Sequence, residues 1–97
     1  SVGPAYYHRS DLRLNYPVSK AKMTQHLLDS APGQIEGVKV SQVCTIDGVK
    51  YLLEDDSWLL IRPSGTEPVL RVYAEGRSPE LVKAMINFGE QVAAHAD

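Results

Sequence analysis

Apolar residues near the start of the chain recur at the spacing of an α-helix. Met23 and Leu27 lie four positions apart, which puts them on one face of a helix predicted over residues 19–30. Pro32-Gly33 ends that helix, since proline has no backbone N–H and glycine readily leaves helical geometry.

A second helical pattern lies near the other end. Ser78-Pro79-Glu80 supplies a hydroxyl N-cap, a proline at the first helical position and a carboxylate in the positive first turn. Apolar residues then recur at helical spacing: Leu81, Val82, Met85, Phe88, Gly89, Val92 and Ala93. This stripe predicts packing against a core rather than a cofactor site.

Alternating apolar and polar residues between the helices predict four strands. The first carries Val38, Val40, Cys44 and Ile46, and the others cover residues 49–53, 58–61 and 69–74. Asp47-Gly48 favours a two-residue type I′ hairpin turn between the first two. On the last strand we assign Leu70, Val72 and Ala74 to the core, which leaves Arg71, Tyr73 and Glu75 on the opposite face.

The order of these elements predicts an α+β domain. It would be a four-stranded, mostly antiparallel sheet with two helices packed on one face. Residues 1–17 are irregular in pattern, and we interpret them as a linker from an upstream domain. Residues 18–97 would then form the folded domain.

Composition narrows the function classes. A net charge of −2 gives no general attraction for nucleic acid or membrane. No apolar stretch approaches the roughly 20 residues that span a bilayer. The single cysteine, Cys44, cannot form an internal disulfide and is typical of a small buried hydrophobe. These features together favour a cytoplasmic setting.

The other chemistry-bearing residues lack the spacing of a site. His8, His26 and His95 are far apart, so we expect surface or capping roles and no metal in this chain. The acids Glu54, Asp55 and Asp56 form a run that is typical of solvated charge on a turn.

The loop over residues 63–68, Pro-Ser-Gly-Thr-Glu-Pro, lies between two predicted strands with an arginine on either side. Ser64 and Thr66 can donate O–H bonds, Gly65 can turn backbone N–H groups toward an anion, and Arg62 and Arg71 match phosphate geometry. The same composition also suits an ordinary turn between strands. Residue types alone leave both interpretations open.

The run 62–68 and the Leu-Arg-Val-Tyr-Ala-Glu segment at 70–75 resemble the phosphate-binding loop of the α-D-phosphohexomutase family. That family includes phosphoglucomutases, phosphomannomutases and phosphoglucosamine mutases. The loop lies in their C-terminal, fourth domain, whose fold is similar to that of the TATA-binding protein. The resemblance covers residues 12–95 as a pattern of elements, but only the loop is specific.

The resemblance implies a function for this loop. Such enzymes move phosphate between a phosphoserine and a hexose phosphate, and a bisphosphorylated intermediate turns round between the two transfers. Their phosphoserine, Mg²⁺ and sugar-recognition loops belong to earlier domains, so no catalytic residue and no Mg²⁺ site is expected here. This domain would hold the phosphate that is not being transferred, with contacts from Arg62, Ser64, Gly65 and Thr66 and a second-rank contact from Arg71.

The expected partners are hexose phosphate, hexose bisphosphate and the upstream domains of the same polypeptide. The role of Glu67 stays open between pointing outward, pairing with an arginine and contacting sugar hydroxyls. A different class, a stand-alone non-catalytic phosphosugar-binding module, is the alternative. Nucleic-acid binding is disfavoured, because a sequence pI near 5.9 shows no basic excess and the exposed strand positions offer no run of stacking aromatics.

Overall fold

The computed structural model describes residues 5–14, 19–46, 48–64 and 67–94. Within these ranges the chain forms six strands and two helices. In chain order they are β1 (Tyr6–Arg13), α1 (Lys20–Asp29), β2 (Gln34–Ile35), β3 (Val38–Cys44), β4 (Val49–Leu53), β5 (Trp58–Pro63), β6 (Val69–Gly76) and α2 (Pro79–Ala94).

All six strands belong to one antiparallel sheet in the order β1-β6-β5-β4-β3-β2. The α+β class and the antiparallel pairing agree with the sequence prediction, but the predicted count of four strands is wrong. The two additional strands, β1 and β2, lie at opposite edges of the sheet. Edge strands need only one hydrogen-bonded neighbour, so their sequences are less constrained than those of central strands.

Strand β1 lies within the segment 1–17 that the sequence pattern left irregular. It pairs along its whole length with β6, from Tyr6 opposite Gly76 to Arg13 opposite Val69. Its side chains are exposed or half-buried, and Leu12 is its one aliphatic residue. That polarity explains why an alternation rule missed it. Its polar residue Ser10 is tied to α2, since the hydroxyl donates to Glu90 Oε2 at 2.6 Å.

The core lies between one face of the sheet and the two helices. Its fully buried members include Met23 and Leu27 of α1, Leu70 and Val72 of β6, and Met85 of α2. The faces assigned from the sequence to the last strand and the second helix are therefore confirmed. The predicted cap is also present, because the Leu81 N–H donates to Ser78 Oγ at 3.1 Å.

Two side chains tie α1 to its neighbours. The Tyr51 hydroxyl donates to the carbonyl oxygen of Leu27 at 2.7 Å, and burial raises the pKa of Tyr51 to about 12. His26 Nε2 lies 2.8 Å from the carbonyl oxygen of Val92 on α2. These bonds hold the C-terminal part of α1 over the sheet.

A β-bulge in β3 changes which of its residues face the core. Val40 pairs with buried Leu53, but past a register shift Cys44 pairs with Lys50, whose neighbours in β4 are buried. Cys44 is consequently half-buried on the face away from the helices. Ile46, beyond the strand, is 98% exposed. The simple alternation predicted from Val38 to Ile46 is wrong for this reason.

The sheet face opposite the helices, here called the open face, carries the non-core residues of each strand. On β4 and β5 these are Lys50, Leu52, Trp58 and Leu60, with the Lys50 Nζ 4.8 Å from the centroid of the Trp58 ring. Toward β6 and β1 the open face becomes charged. The candidate site lies at this charged side.

Candidate functional site

Arg62 and Arg71 lie directly opposite each other on neighbouring strands. Arg62 is the second-last residue of β5, Arg71 is the third of β6, and the two are register partners. Both are exposed on the open face, because the residues on either side of each are buried toward the core. Like charges directly opposite on a sheet repel each other, so a bound anion would relieve this repulsion.

Backbone hydrogen bonds close the connection between β5 and β6. The Ser64 N–H donates to the Val69 carbonyl oxygen at 2.9 Å, and the Val69 N–H donates to the Glu67 carbonyl oxygen at 2.7 Å. The Glu67 N–H also donates to Ser64 Oγ at 3.3 Å. Pro63 is buried opposite Leu70, so the first residue of the loop is anchored in the core. The loop is therefore attached to a hydrogen-bonded hairpin whose strand ends are held in place.

Two predicted contacts, Gly65 and Thr66, lie outside the described residues. Ser64 is half-buried and Glu67 is exposed, which leaves the role of the Glu67 carboxylate open. A serine hydroxyl has one O–H donor and two acceptor lone pairs, so this residue type can bond both a backbone N–H and a phosphate oxygen.

A glycine allows the hairpin to pack closely against the start of β4. A Cβ at Gly48 would lie 2.6 Å from the carbonyl oxygen of Ile61 and 3.2 Å from the Cα of Arg62. Gly48 also has a φ of +88°, which side-chain-bearing residues rarely adopt. The missing Cβ thus sets how near β4 approaches the backbone that carries Arg62. Asp47, the other half of the predicted turn, lies outside the described residues.

A carboxylate continues the row of arginines onto the edge strand. Asp11 of β1 is the register partner of Arg71, so Asp11, Arg71 and Arg62 lie level on three adjacent strands. The carboxylate pairs with Arg9 of the same strand, whose Nε lies 3.9 Å from Asp11 Oδ1. Sequence reasoning missed Asp11, because β1 was not predicted and the register of a strand cannot be inferred without its partner.

The acidic run before β5 has structural contacts. Asp55 Oδ1 accepts from the Ser57 N–H at 2.9 Å, and Asp56 pairs with Arg77 at 3.3 Å. In the described part of the chain no three His, Cys, Asp or Glu side chains cluster in a way that could hold a metal ion. The residues present here therefore do not fit a Mg²⁺ site.

The fold and the hairpin define an α+β domain, with one antiparallel sheet, two helices on a single face and a basic hairpin on the other. The phosphoglucomutase/phosphomannomutase C-terminal domain model matches residues 15–88. The chain belongs to this family. The family resemblance inferred from the 62–68 run is confirmed.

Individual relatives carry the names of phosphomutases. The chain is 61% identical over 41 residues to a "Probable phosphoglucosamine mutase" of Methanosphaera stadtmanae, a match covering 42% of this chain and 9% of that protein. It is 38% identical over 72 residues to a phosphopentomutase of Thermococcus kodakarensis, covering 74% and 16%. It is 32% identical over 84 residues to a "Probable phosphoglucosamine mutase" of Pyrococcus horikoshii, covering 84% and 18%.

The chain thus matches less than a fifth of the length of each of these relatives. None of the helices in the described ranges is long and apolar enough to cross a membrane.

Proposed function

We propose that this domain anchors the non-transferred phosphate of a hexose phosphate, or of its bisphosphate, in a mutase of the phosphohexomutase type. The observation that carries the proposal is the cross-strand pair of exposed arginines beside the 63–68 loop. Two guanidiniums carried by directly opposed strand positions can bind a phosphate dianion from two sides with charge-assisted hydrogen bonds.

The loop supplies the remaining donors in this proposal. Arg62, Ser64, Gly65 and Thr66 contact the phosphate directly, and Arg71 adds a contact from the neighbouring strand. The anchor fixes one end of the sugar, so that its other end meets a phosphoserine held by an upstream domain of the same polypeptide. Positioning of this kind contributes several kcal/mol to a phosphoryl transfer.

In this proposal the Mg²⁺ site does not lie in this domain. Mg²⁺, as the resemblance implies, is held by another domain, and the isolated chain has no mutase activity of its own. The domain binds and orients the sugar phosphate, and it does so as one part of a larger cytoplasmic enzyme. Two relatives are named as a probable phosphoglucosamine mutase and a phosphopentomutase, and these names support a sugar phosphate as the ligand.

Titration of the isotope-labelled chain with glucose 1-phosphate, followed by NMR, tests the anchor. A single loop offers a few charge-assisted bonds of roughly 1.5–3 kcal/mol each, opposed by the cost of immobilising the ligand, so we expect weak, millimolar binding. The amides of Ser64 and Glu67 should shift first. Shifts confined to the open face at Lys50 and Leu52, with the loop silent, would contradict the proposal. Arg62→Ala is the matched variant and should abolish the loop response.

A further inference from the structure

Asp11 lies in the same row of residues as the two arginines, one strand beyond Arg71. Its carboxylate is half-exposed and 3.9 Å from Arg9 Nε, so it forms part of the charged surface and not of the core. Neighbouring strands are about 4.8 Å apart, which puts Asp11 roughly 10 Å from Arg62, two strands away. An anion held between Arg62 and Arg71 would therefore feel the field of this carboxylate.

We propose that Asp11 is an affinity-determining counter-charge, which weakens the binding of phosphate esters to the hairpin and so lets them leave. This inference rests on the proposed phosphate anchor. Asp11 is placed to repel the anion rather than to bind it, because its carboxylate lies one strand beyond Arg71 on the same row. Phosphate, as a dianion, is repelled twice as strongly as a monoanion at the same place.

A weakened anchor suits the proposed reaction. The sugar turns round between the two transfers that the resemblance implies, so each phosphate has to leave the anchor in every cycle. Tighter binding that is equal in ground and transition states lowers KM without raising kcat, and it slows release. A carboxylate one strand beyond Arg71 and two strands from Arg62 lowers affinity without removing any phosphate contact.

The expected effect is electrostatic and depends on salt. A single charge about 10 Å from a dianion changes the dissociation constant about threefold at low ionic strength, near 20 mM. At about 0.5 M salt the Debye length is roughly 4 Å, and the effect should vanish. A purely structural role of Asp11 would not show this dependence.

The experiment uses inorganic phosphate as the probe and the Ser64 and Glu67 amides of the labelled chain as the readout. Asp11→Asn removes the charge, and Asp11→Glu retains it. Glu54→Gln is the matched control, because Glu54 is exposed in the turn at the opposite end of β5. Thermal melts and amide spectra check that each variant is folded.

We expect Asp11→Asn to bind phosphate about threefold more tightly than wild type near 20 mM ionic strength and equally at about 0.5 M. Asp11→Glu and Glu54→Gln should stay within about 1.5-fold of wild type. Equal or weaker binding by Asp11→Asn at low salt overturns the inference, as does the same gain in Glu54→Gln or a gain that persists at high salt.

One further outcome separates this inference from the function on which it rests. A wild-type loop that stays silent to about 100 mM phosphate overturns the anchor itself, and with it the role of Asp11, since an anchor with a millimolar dissociation constant would be saturated. If the wild-type loop responds to phosphate but Asp11→Asn does not bind it more tightly, the proposed anchor is retained and only the role of Asp11 is rejected.

Discussion

Arg62 and Leu70 lie in the same hairpin, yet substitutions there should separate function from stability. Leu70 is fully buried, so Leu70→Ala removes contacts and leaves a cavity, at a cost of about 2–5 kcal/mol to the free energy of unfolding. For a 97-residue chain about 1 kcal/mol corresponds to roughly 5 °C in Tm. We therefore expect a fall of about 10–25 °C for Leu70→Ala.

Arg62→Ala should leave the melting temperature nearly unchanged. The side chain is exposed, and such substitutions usually change stability by less than about 0.5 kcal/mol. Relief of the repulsion from Arg71 works in the opposite direction, by about 0.2–1 kcal/mol. The net change in Tm should stay within about 5 °C.

In the proposed full-length mutase, the two substitutions should affect catalysis in the opposite way to stability. A lost phosphate anchor misplaces the reacting end of the sugar, and we expect kcat/KM of Arg62→Ala to fall about 100-fold or more. Leu70→Ala should keep near-normal kinetics at a temperature where it is folded. The assays are thermal melting and steady-state kinetics on both variants. If Arg62→Ala melted far below wild type but turned over normally in the cold, Arg62 would be structural and the anchor assignment wrong.

Three further predictions concern the isolated chain. With glucose 1-phosphate, Mg²⁺ and glucose 1,6-bisphosphate it should show no turnover, and activity that survives repurification would refute the proposed division of labour. Gly48→Ala should lower Tm by several degrees, since its Cβ would meet the Ile61 carbonyl oxygen at 2.6 Å, whereas Gly33→Ala, with no atom within 4 Å of its Cβ, should not. Because the pKa of Tyr51 is raised to about 12, its buried hydroxyl contributes to folding stability fully below about pH 10, and this contribution is lost as the pH rises through about 12. Denaturant titrations at several pH values should show that loss in the wild type and not in Tyr51→Phe.

The sequence predicts the centre of the fold well because each central element has a strong local pattern. The Ser78 cap and the apolar stripe identify α2, and the alternation from Leu70 to Ala74 identifies the buried face of β6. Both patterns arise from burial on one side only. The edge strands lack such a pattern: β1 is polar along most of its length, and β2 has two residues.

The candidate site was predicted only as far as its residues are close in sequence. Arg62 and the loop are contiguous, so their composition suggests an anion cradle directly. That Arg62 and Arg71 are register partners, and that Asp11 continues their row, depends on pairing between strands. The bulge in β3 shows the same limit, because one inserted residue turns Cys44 to the other face.

The different sequence distances of the two pairings of β6 have a consequence for folding. β5 and β6 are joined by a short connection, whereas β1 and β6 pair residues more than fifty positions apart. The entropy of loop closure grows with the length of chain enclosed, so we expect the β5–β6 hairpin to form first and β1 to join the sheet late. Pulsed hydrogen exchange would show β5–β6 amides protected before those of β1. Arg62 and Arg71 would then be paired in a partly folded chain before Asp11 takes its place beside Arg71.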